Sequence, residues 1–278
     1  VALANWLVHP DNVLTWRSIV NRIWHYHFGK GIVGTPNDFG KMGSLPSHPE
    51  LLDWLAFEFR ERGGSLKWLH KTIALSETYR QSAADRPEGL AADSGNRLLW
   101  RMNRRRLEAE CIRDAVLRLS GKLDQRMGGP SARQFYTSPG VHVTPVVKYK
   151  EFDPDHPANF RRGVYRFVFR TVPDPLMQAL DCPDASQLAA KRESSSTPLQ
   201  ALALLNNRFM VRQSEHIAAR LQLDADGVGE RIVLLFKRAY GRSPSPREAE
   251  RVIGYARTHG LANACRVIIN SSEFLFVQ

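Results

Sequence analysis

Apolar residues recur at helical spacing along most of this 278-residue chain, and the places where that rhythm breaks outline its architecture. Between Trp16 and Phe28, the residues Ile19, Val20, Ile23, Trp24 and Phe28 fall on one broad face, and Gly29 supplies a C-terminal stop. Ser47-His48-Pro49-Glu50 has the form of a capping box with proline in the first turn. It predicts a helix that turns Leu51, Leu52, Leu55 and Phe59 inward and ends at Gly63-Gly64. Ser65 is placed to cap a further helix reaching about Arg80, while residues 82–96 read as exposed loop. Leu107, Cys111, Ala115 and Leu119 predict another helix, closed by Gly121. The opening Val1 to Leu7 reads as helix already under way, as expected of a chain that starts inside a larger polypeptide.

From Gly128 to Pro175 the helical rhythm gives way to glycine, proline, aromatic and β-branched residues. Strands are predicted at Val141 to Val143, Val146 to Tyr149 and Val164 to Thr171, where Tyr165, Phe167 and Phe169 alternate with Arg166, Val168 and Arg170. Helices resume at Thr197-Pro198, with Leu199, Leu202, Leu205 and Phe209 as a stripe. They continue over Glu230 to Tyr240, from the Ser245-Pro246-Arg247-Glu248 box to Gly260, and from Leu261 to about Asn270. The expected class is mainly α: a multi-helix, bundle-like globular domain with a small β-containing insert. Its expected parts are a helical block over 1–127, the insert over 128–175 and a second helical block over 176–278, sharing one core.

Composition narrows the function classes. No apolar run approaches the roughly 18 residues that cross a bilayer. The three cysteines are widely spaced and form no zinc, haem or redox motif; Cys111 and Cys265 read as small core residues. The net charge is +11, and arginine supplies 30 of the 39 basic residues. Arginine's planar fork matches carboxylate, sulfate and phosphate, so the excess points to an anionic polymer or an acidic protein surface as partner. The competing reading is a scattered, solvated coat of charge.

Candidate chemistry concentrates in three places. His27, Asn37, Asp38, His48 and Asp53 lie between residues 21 and 53, and imidazole with carboxylate is what a general acid–base pair needs. His25 and His27, two apart on a helix, point about 200° away from one another and cannot chelate one ion together, so no metal set is assigned. Arg101, Arg104 and Arg105 share a helical face and form one candidate anion platform, unless Glu108, Glu110 and Asp114 pair with that run. Arg166 and Arg170, with Asp174 nearby, form another on a strand. The chain lacks the nucleophile elbow, the phosphate loop and the zinc-protease motif. Gly29 to Gly34 fits the dinucleotide fingerprint by letter but follows a helix.

Val20-Asn21-Arg22-Ile23-Trp24-His25-Tyr26-His27-Phe28-Gly29, Thr35-Pro36-Asn37-Asp38-Phe39-Gly40 and Pro46-Ser47-His48-Pro49-Glu50-Leu51-Leu52-Asp53-Trp54 strongly resemble a planctomycete-type C-terminal domain of unknown function. Arg105-Arg106-Leu107-Glu108, Thr197-Pro198-Leu199-Gln200 and Asn270-Ser271-Ser272-Glu273 fit the same pattern. The resemblance implies a large exported protein in which cytochrome-c-like modules come first. Haem would then belong to an upstream module, no cofactor to this chain, and the upstream domains would be partners. It carries no catalytic residues. Two functions remain: a non-catalytic binding or assembly module for an anionic partner such as acidic or sulfated polysaccharide, and a hydrolase-like or metal-dependent enzyme with a His/Asp pocket between residues 21 and 53. Nucleic acid is disfavoured as a partner, because neither a helix-turn-helix nor an aromatic stacking platform is present.

Overall fold

A computed structural model describes residues 1–141, 144–169 and 172–277. Thirteen α-helices run through them, and the β structure is confined to two-residue strands and isolated bridges. The chain is mainly α. It divides into two compact units, Val1–Arg105 and Arg106–Val277, each with its own apolar core.

The first unit contains α1 (Ala2–Leu7), α2 (Val13–Phe28), α3 (Pro49–Glu61), α4 (Leu66–Ala74) and α5 (Pro87–Ala92). Val20, Trp24 and Phe28 of α2 meet Leu52, Leu55 and Phe59 of α3 and Leu69 and Ile73 of α4. Gly29 ends α2 in the left-handed region at φ 77°. A side chain there would also strike the Arg105 stem, 2.5 Å from its Cβ. Asn21 is fully buried and holds the following loop, accepting from the Val33 N–H (2.8 Å) and donating to the Val33 carbonyl (3.0 Å).

The second unit contains α6 (Ala109–Ser120), α7 (Pro175–Ala179), α8 (Pro198–Asn206), α9 (Arg208–Asp224), α10 (Val228–Tyr240), α11 (Pro246–His259), α12 (Leu261–Ile269) and α13 (Ser272–Leu275). Helix α9 is its centre, packed by α6, α8, α10 and α12. Helix α6 therefore belongs with the C-terminal helices. Between α6 and α7, the described residues of 121–174 carry one antiparallel pair, Thr137–Ser138 with Val146–Val147, and three 3-10 turns.

Several expectations change. Cys111 is exposed, and α6 buries Ala109, Ile112, Arg113, Val116, Leu117, Leu119 and Ser120 instead. A strict four-residue spacing drifts by about 40° per step around a 3.6-residue helix, which carries Cys111 off the inner face. The box at residues 47–50 does not form: His48 is the N-cap, and the Ser47 hydroxyl turns to His48 Nδ1 (2.9 Å) and the Ile32 carbonyl (3.3 Å). Helix α4 stops at Ala74, where Ser76 bonds back to the Ile73 carbonyl (2.7 Å), and α5 occupies part of the expected loop. The stripe from Leu199 to Phe209 belongs to two helices, because the Asn207 side chain accepts from the Phe209 N–H (2.9 Å) and starts α9 afresh. Leu199 and Leu202 face solvent.

Over its described residues, 164–169, the predicted strand reduces to a 3-10 turn, Gly163–Tyr165, and one parallel bridge between Ala132 and Arg166. Pro130, two residues before Ala132, has no N–H to continue the ladder. Arg170, Thr171, His142 and Val143 lie outside the described residues.

Asn21 gives a direct test of the first core. Asn21→Leu keeps the volume but strands the Val33 N–H and carbonyl in an apolar interior. Its urea midpoint, read by tryptophan fluorescence, is expected to fall by an amount equivalent to about 3 kcal/mol. A change under about 0.5 kcal/mol would refute the role given to this amide.

Candidate ligand-binding site

Of the residues singled out between 21 and 53, each has its own local partner. His27 Nε2 lies 2.8 Å from His70 Nδ1, and the Tyr79 ring stands edge-on to it. Partial burial, followed by the charges of His70 and Arg105, holds the His27 imidazole below its ordinary value of 6.5, so it is neutral at pH 7. Asn37 accepts from Arg22, and Asp38 Oδ1 accepts from the Gly40 N–H (2.8 Å) in an Asx turn. Asp53 is ion-paired with Arg17 (2.7 Å). Asn37 and Asp38 share one shallow depression with Arg22 and Phe39; His48 lines another, with Trp24, Lys30 and Asn103. Among the described residues, no three His, Cys, Asp or Glu side chains are grouped to hold a metal ion.

Arg101, Arg104 and Arg105 do not share a helical face, since α6 begins only at Ala109 and Arg105 is extended; each is engaged within the first unit. Arg101 and Arg104 both reach Asp85 (3.2 and 3.0 Å), and Arg105 donates to the Tyr26 carbonyl (2.5 Å).

Arg166 has a different environment. It lines a pocket of about 300 Å³ in the second unit, with Asp174, Cys182, Phe135, Tyr149, Phe167, Phe169 and Met177 among the walls. Its side chain is 7% exposed. Nη1 reaches Asp174 Oδ2 only at 3.6 Å, Nη2 reaches the Cys182 sulfur at 3.6 Å, and Nε has no hydrogen-bond partner among the described residues. A guanidinium has five N–H donors, so these contacts leave it short of acceptors in a nearly dry setting.

Each wall has a local cause. Asp174 is the N-cap of α7, its Oδ1 accepting from the Leu176 and Met177 N–H groups (3.0 and 3.3 Å), which leaves Oδ2 turned to Arg166. Gln134, with its amide turned to suit both neighbours, donates to Asp174 Oδ2 (3.2 Å) and accepts from Arg113 Nη2 (2.7 Å). Phe135 and Tyr149 meet edge to face at 5.3 Å, and the Tyr149 hydroxyl donates to the Pro173 carbonyl (2.6 Å).

The far wall, Cys182 to Ala185, is set by the end of α7. The Asp181 and Cys182 N–H groups bond back to the Gln178 and Met177 carbonyls (3.1 and 2.9 Å), a Schellman motif with Asp181 in the left-handed position at φ 61°. Glycine is the usual residue there, and a side chain costs about 1 kcal/mol. Asp181 offsets that by accepting from Arg106 Nη2 (2.7 Å), the Ser195 N–H (2.7 Å) and hydroxyl, and Gln200 Nε2 (2.9 Å). Burial opposes the carboxylate, but these donors outweigh it and hold Asp181 below its ordinary value of 3.8. Burial, then the charge of Glu110, pushes the Cys182 thiol up, so at neutral pH it is a protonated wall residue.

The proximity of Asp174 to Arg166 was legible in the sequence, but the expected strand alternation does not form: Arg166, Phe167, Val168 and Phe169 all line the pocket. Arg113, Gln134, Phe135, Tyr149 and the Asp181 network were not legible. Arg113 left one trace, a charge inside the apolar stripe of α6 between Ala109 and Val116.

A family model described as "PSD1: Protein of unknown function (DUF1553)" matches residues 1–256, and the chain belongs to that family. No curated protein and no solved structure matches it. Among the described residues, no helix is long and apolar enough to cross a membrane.

Asp181→Asn tests the support of the pocket wall, since asparagine also tolerates the left-handed position. The folded-state pKa of Asp181 is depressed, so its stabilisation is full above the unfolded value near 3.8 and is lost as pH falls through the folded value. The variant is expected to be about 2 kcal/mol less stable than the parent at pH 7, a gap that narrows as pH falls below 3.8. A gap independent of pH would contradict the assignment.

Proposed function

We propose that this domain is a non-catalytic binding module of an exported, planctomycete-type multidomain protein. Its ligand is an acidic or sulfated carbohydrate, and any haem of the whole protein sits in an upstream module. The observation that carries the proposal is Arg166, a buried and under-satisfied guanidinium in the wall of a pocket of about 300 Å³. That volume is at the lower end of the range for small-molecule sites and suits one sugar-sized unit.

The rest of the lining favours a hydroxyl-bearing acid over a compact polyanion. Arg166 offers donors to a carboxylate or sulfate. Asp174 beside it repels dense negative charge but accepts hydrogen bonds from hydroxyl groups. Phe135, Tyr149, Phe167 and Phe169 offer apolar surface to the carbon face of a ring. Phosphate-rich polymers such as nucleic acid meet the carboxylate unfavourably.

Titration calorimetry with heparin and carrageenan tetrasaccharides tests this. Binding is expected, weakening as NaCl rises from 0.05 to 0.5 M because the contact is ionic. Neutral laminarin tetrasaccharide is expected not to bind. Arg166→Gln, shown to be folded by circular dichroism, is expected to lose roughly tenfold or more in affinity. Absent binding, or an unchanged affinity for Arg166→Gln, would overturn the proposal.

A further inference from the structure

Beside the Arg166 pocket lies a second compartment of about 120 Å³, lined by Arg113, Gln134, Phe152, Asn159, Pro175, Leu176, Asn207, Arg208 and Phe209. Phe135, Tyr149 and Asp174 belong to the walls of both. At that size the second compartment is too small to be a ligand site of its own. As an extension of its neighbour it is the right size for part of a second unit.

Its chemistry repeats that of the first. Asn159 is fully buried; its Nδ2 donates to the Asp153 carbonyl (2.6 Å) and its own carbonyl accepts from Arg113 Nη2 (2.6 Å). Its Oδ1 is buried with no hydrogen-bond partner among the described residues. A buried acceptor in that state calls for a donor, such as a hydroxyl. Arg208 brings a cation from the exposed start of α9 and is tied to the protein by Nη1 to the Lys150 carbonyl (3.1 Å). Phe152 and Phe209 supply ring faces. Each compartment thus offers a cation, an oxygen acceptor and aromatic surface: Arg166, Asp174 and Phe167 in the first; Arg208, Asn159 and Phe152 in the second, which also holds Arg113 and shares Asp174.

We infer that the two compartments are adjacent subsites for consecutive units of one anionic oligosaccharide, and that Asn159 and Arg208 read the second unit. The inference rests on the reading of the Arg166 pocket given above. A ligand that repeats an acidic group and hydroxyls from unit to unit satisfies both compartments, whereas a single charged ring leaves Asn159 Oδ1 unpaired.

The experiment is a length series on the intact chain: glucosamine 6-sulfate, a heparin disaccharide and a heparin tetrasaccharide. Affinity is read by calorimetry and contact by NMR shifts of the Asn159 and Asn207 side-chain amides. A gain of roughly tenfold on passing from one unit to two is expected, with the Asn159 amide shifting only for the longer ligands. Arg208→Ala is expected to collapse the ratio of disaccharide to monosaccharide affinity towards one. Equal affinities across the series, or an unchanged ratio in Arg208→Ala, overturn the second subsite and leave the Arg166 pocket standing. If none of the three ligands binds, the pocket reading itself falls and this one with it.

Discussion

A guanidinium buried in an apolar interior demands oxygen acceptors, and the middle of this chain is organised by that demand at Arg113. The residue is 3% exposed and projects from the inner face of α6 over the Phe209 ring. Burial, more than any neighbouring charge, pulls its pKa down to about 10, so it stays charged at neutral pH. Its donors go to the carbonyls of Asn159 and Arg161 (2.6 and 2.8 Å) and, more distantly, to Asp114 (3.4 Å). Asp114 in turn accepts from the Gly163 N–H (2.7 Å), and its carboxyl is raised by its own burial. Removing the charge would leave those carbonyls unpaired, which is why such a residue persists despite its desolvation cost.

The same solution recurs along the irregular segment. Arg161 donates to the Gly128 carbonyl (2.8 Å) and lies over the Tyr165 ring, and Arg106 donates to the Leu180 carbonyl (3.0 Å). Arginine side chains therefore satisfy the backbone carbonyls of Gly128, Asn159, Arg161 and Leu180.

This also explains what was legible beforehand. Caps and stops act over four residues, so Gly29, Ser65, Gly121, Thr197, Gly241 and Ser245 could be read from local sequence, and the structure keeps each in that role. The break at Asn207 was hidden, since Leu205 and Phe209 continue an apolar rhythm across it and only the Asn207 side-chain bond separates the helices. Charge composition was informative about residue type and silent about use. The arginine excess reads as an anion-binding surface, yet Arg60, Arg105, Arg113, Arg161 and Arg220 donate to backbone carbonyls of their own unit. A carbonyl acceptor leaves no mark in a sequence, whereas an Asp or Glu partner does.

Arg166 and Arg113 differ in how closely their acceptors approach. Arg113 has three close backbone or side-chain acceptors, while Arg166, on the other side of Asp174, has a carboxylate at 3.6 Å and a thiol at 3.6 Å. The difference follows from the partition of one carboxylate. Oδ1 of Asp174 is committed to the N-terminus of α7, and Oδ2 is shared between Gln134 and Arg166. A fully paired Arg166 would need that carboxylate to abandon the helix cap, at about 1 kcal/mol or more. The cap wins, and Nε of the Arg166 guanidinium is left without a hydrogen-bond partner among the described residues. Composition could indicate only that arginine was plentiful; which acceptors each guanidinium meets is decided by how the folded chain shares them.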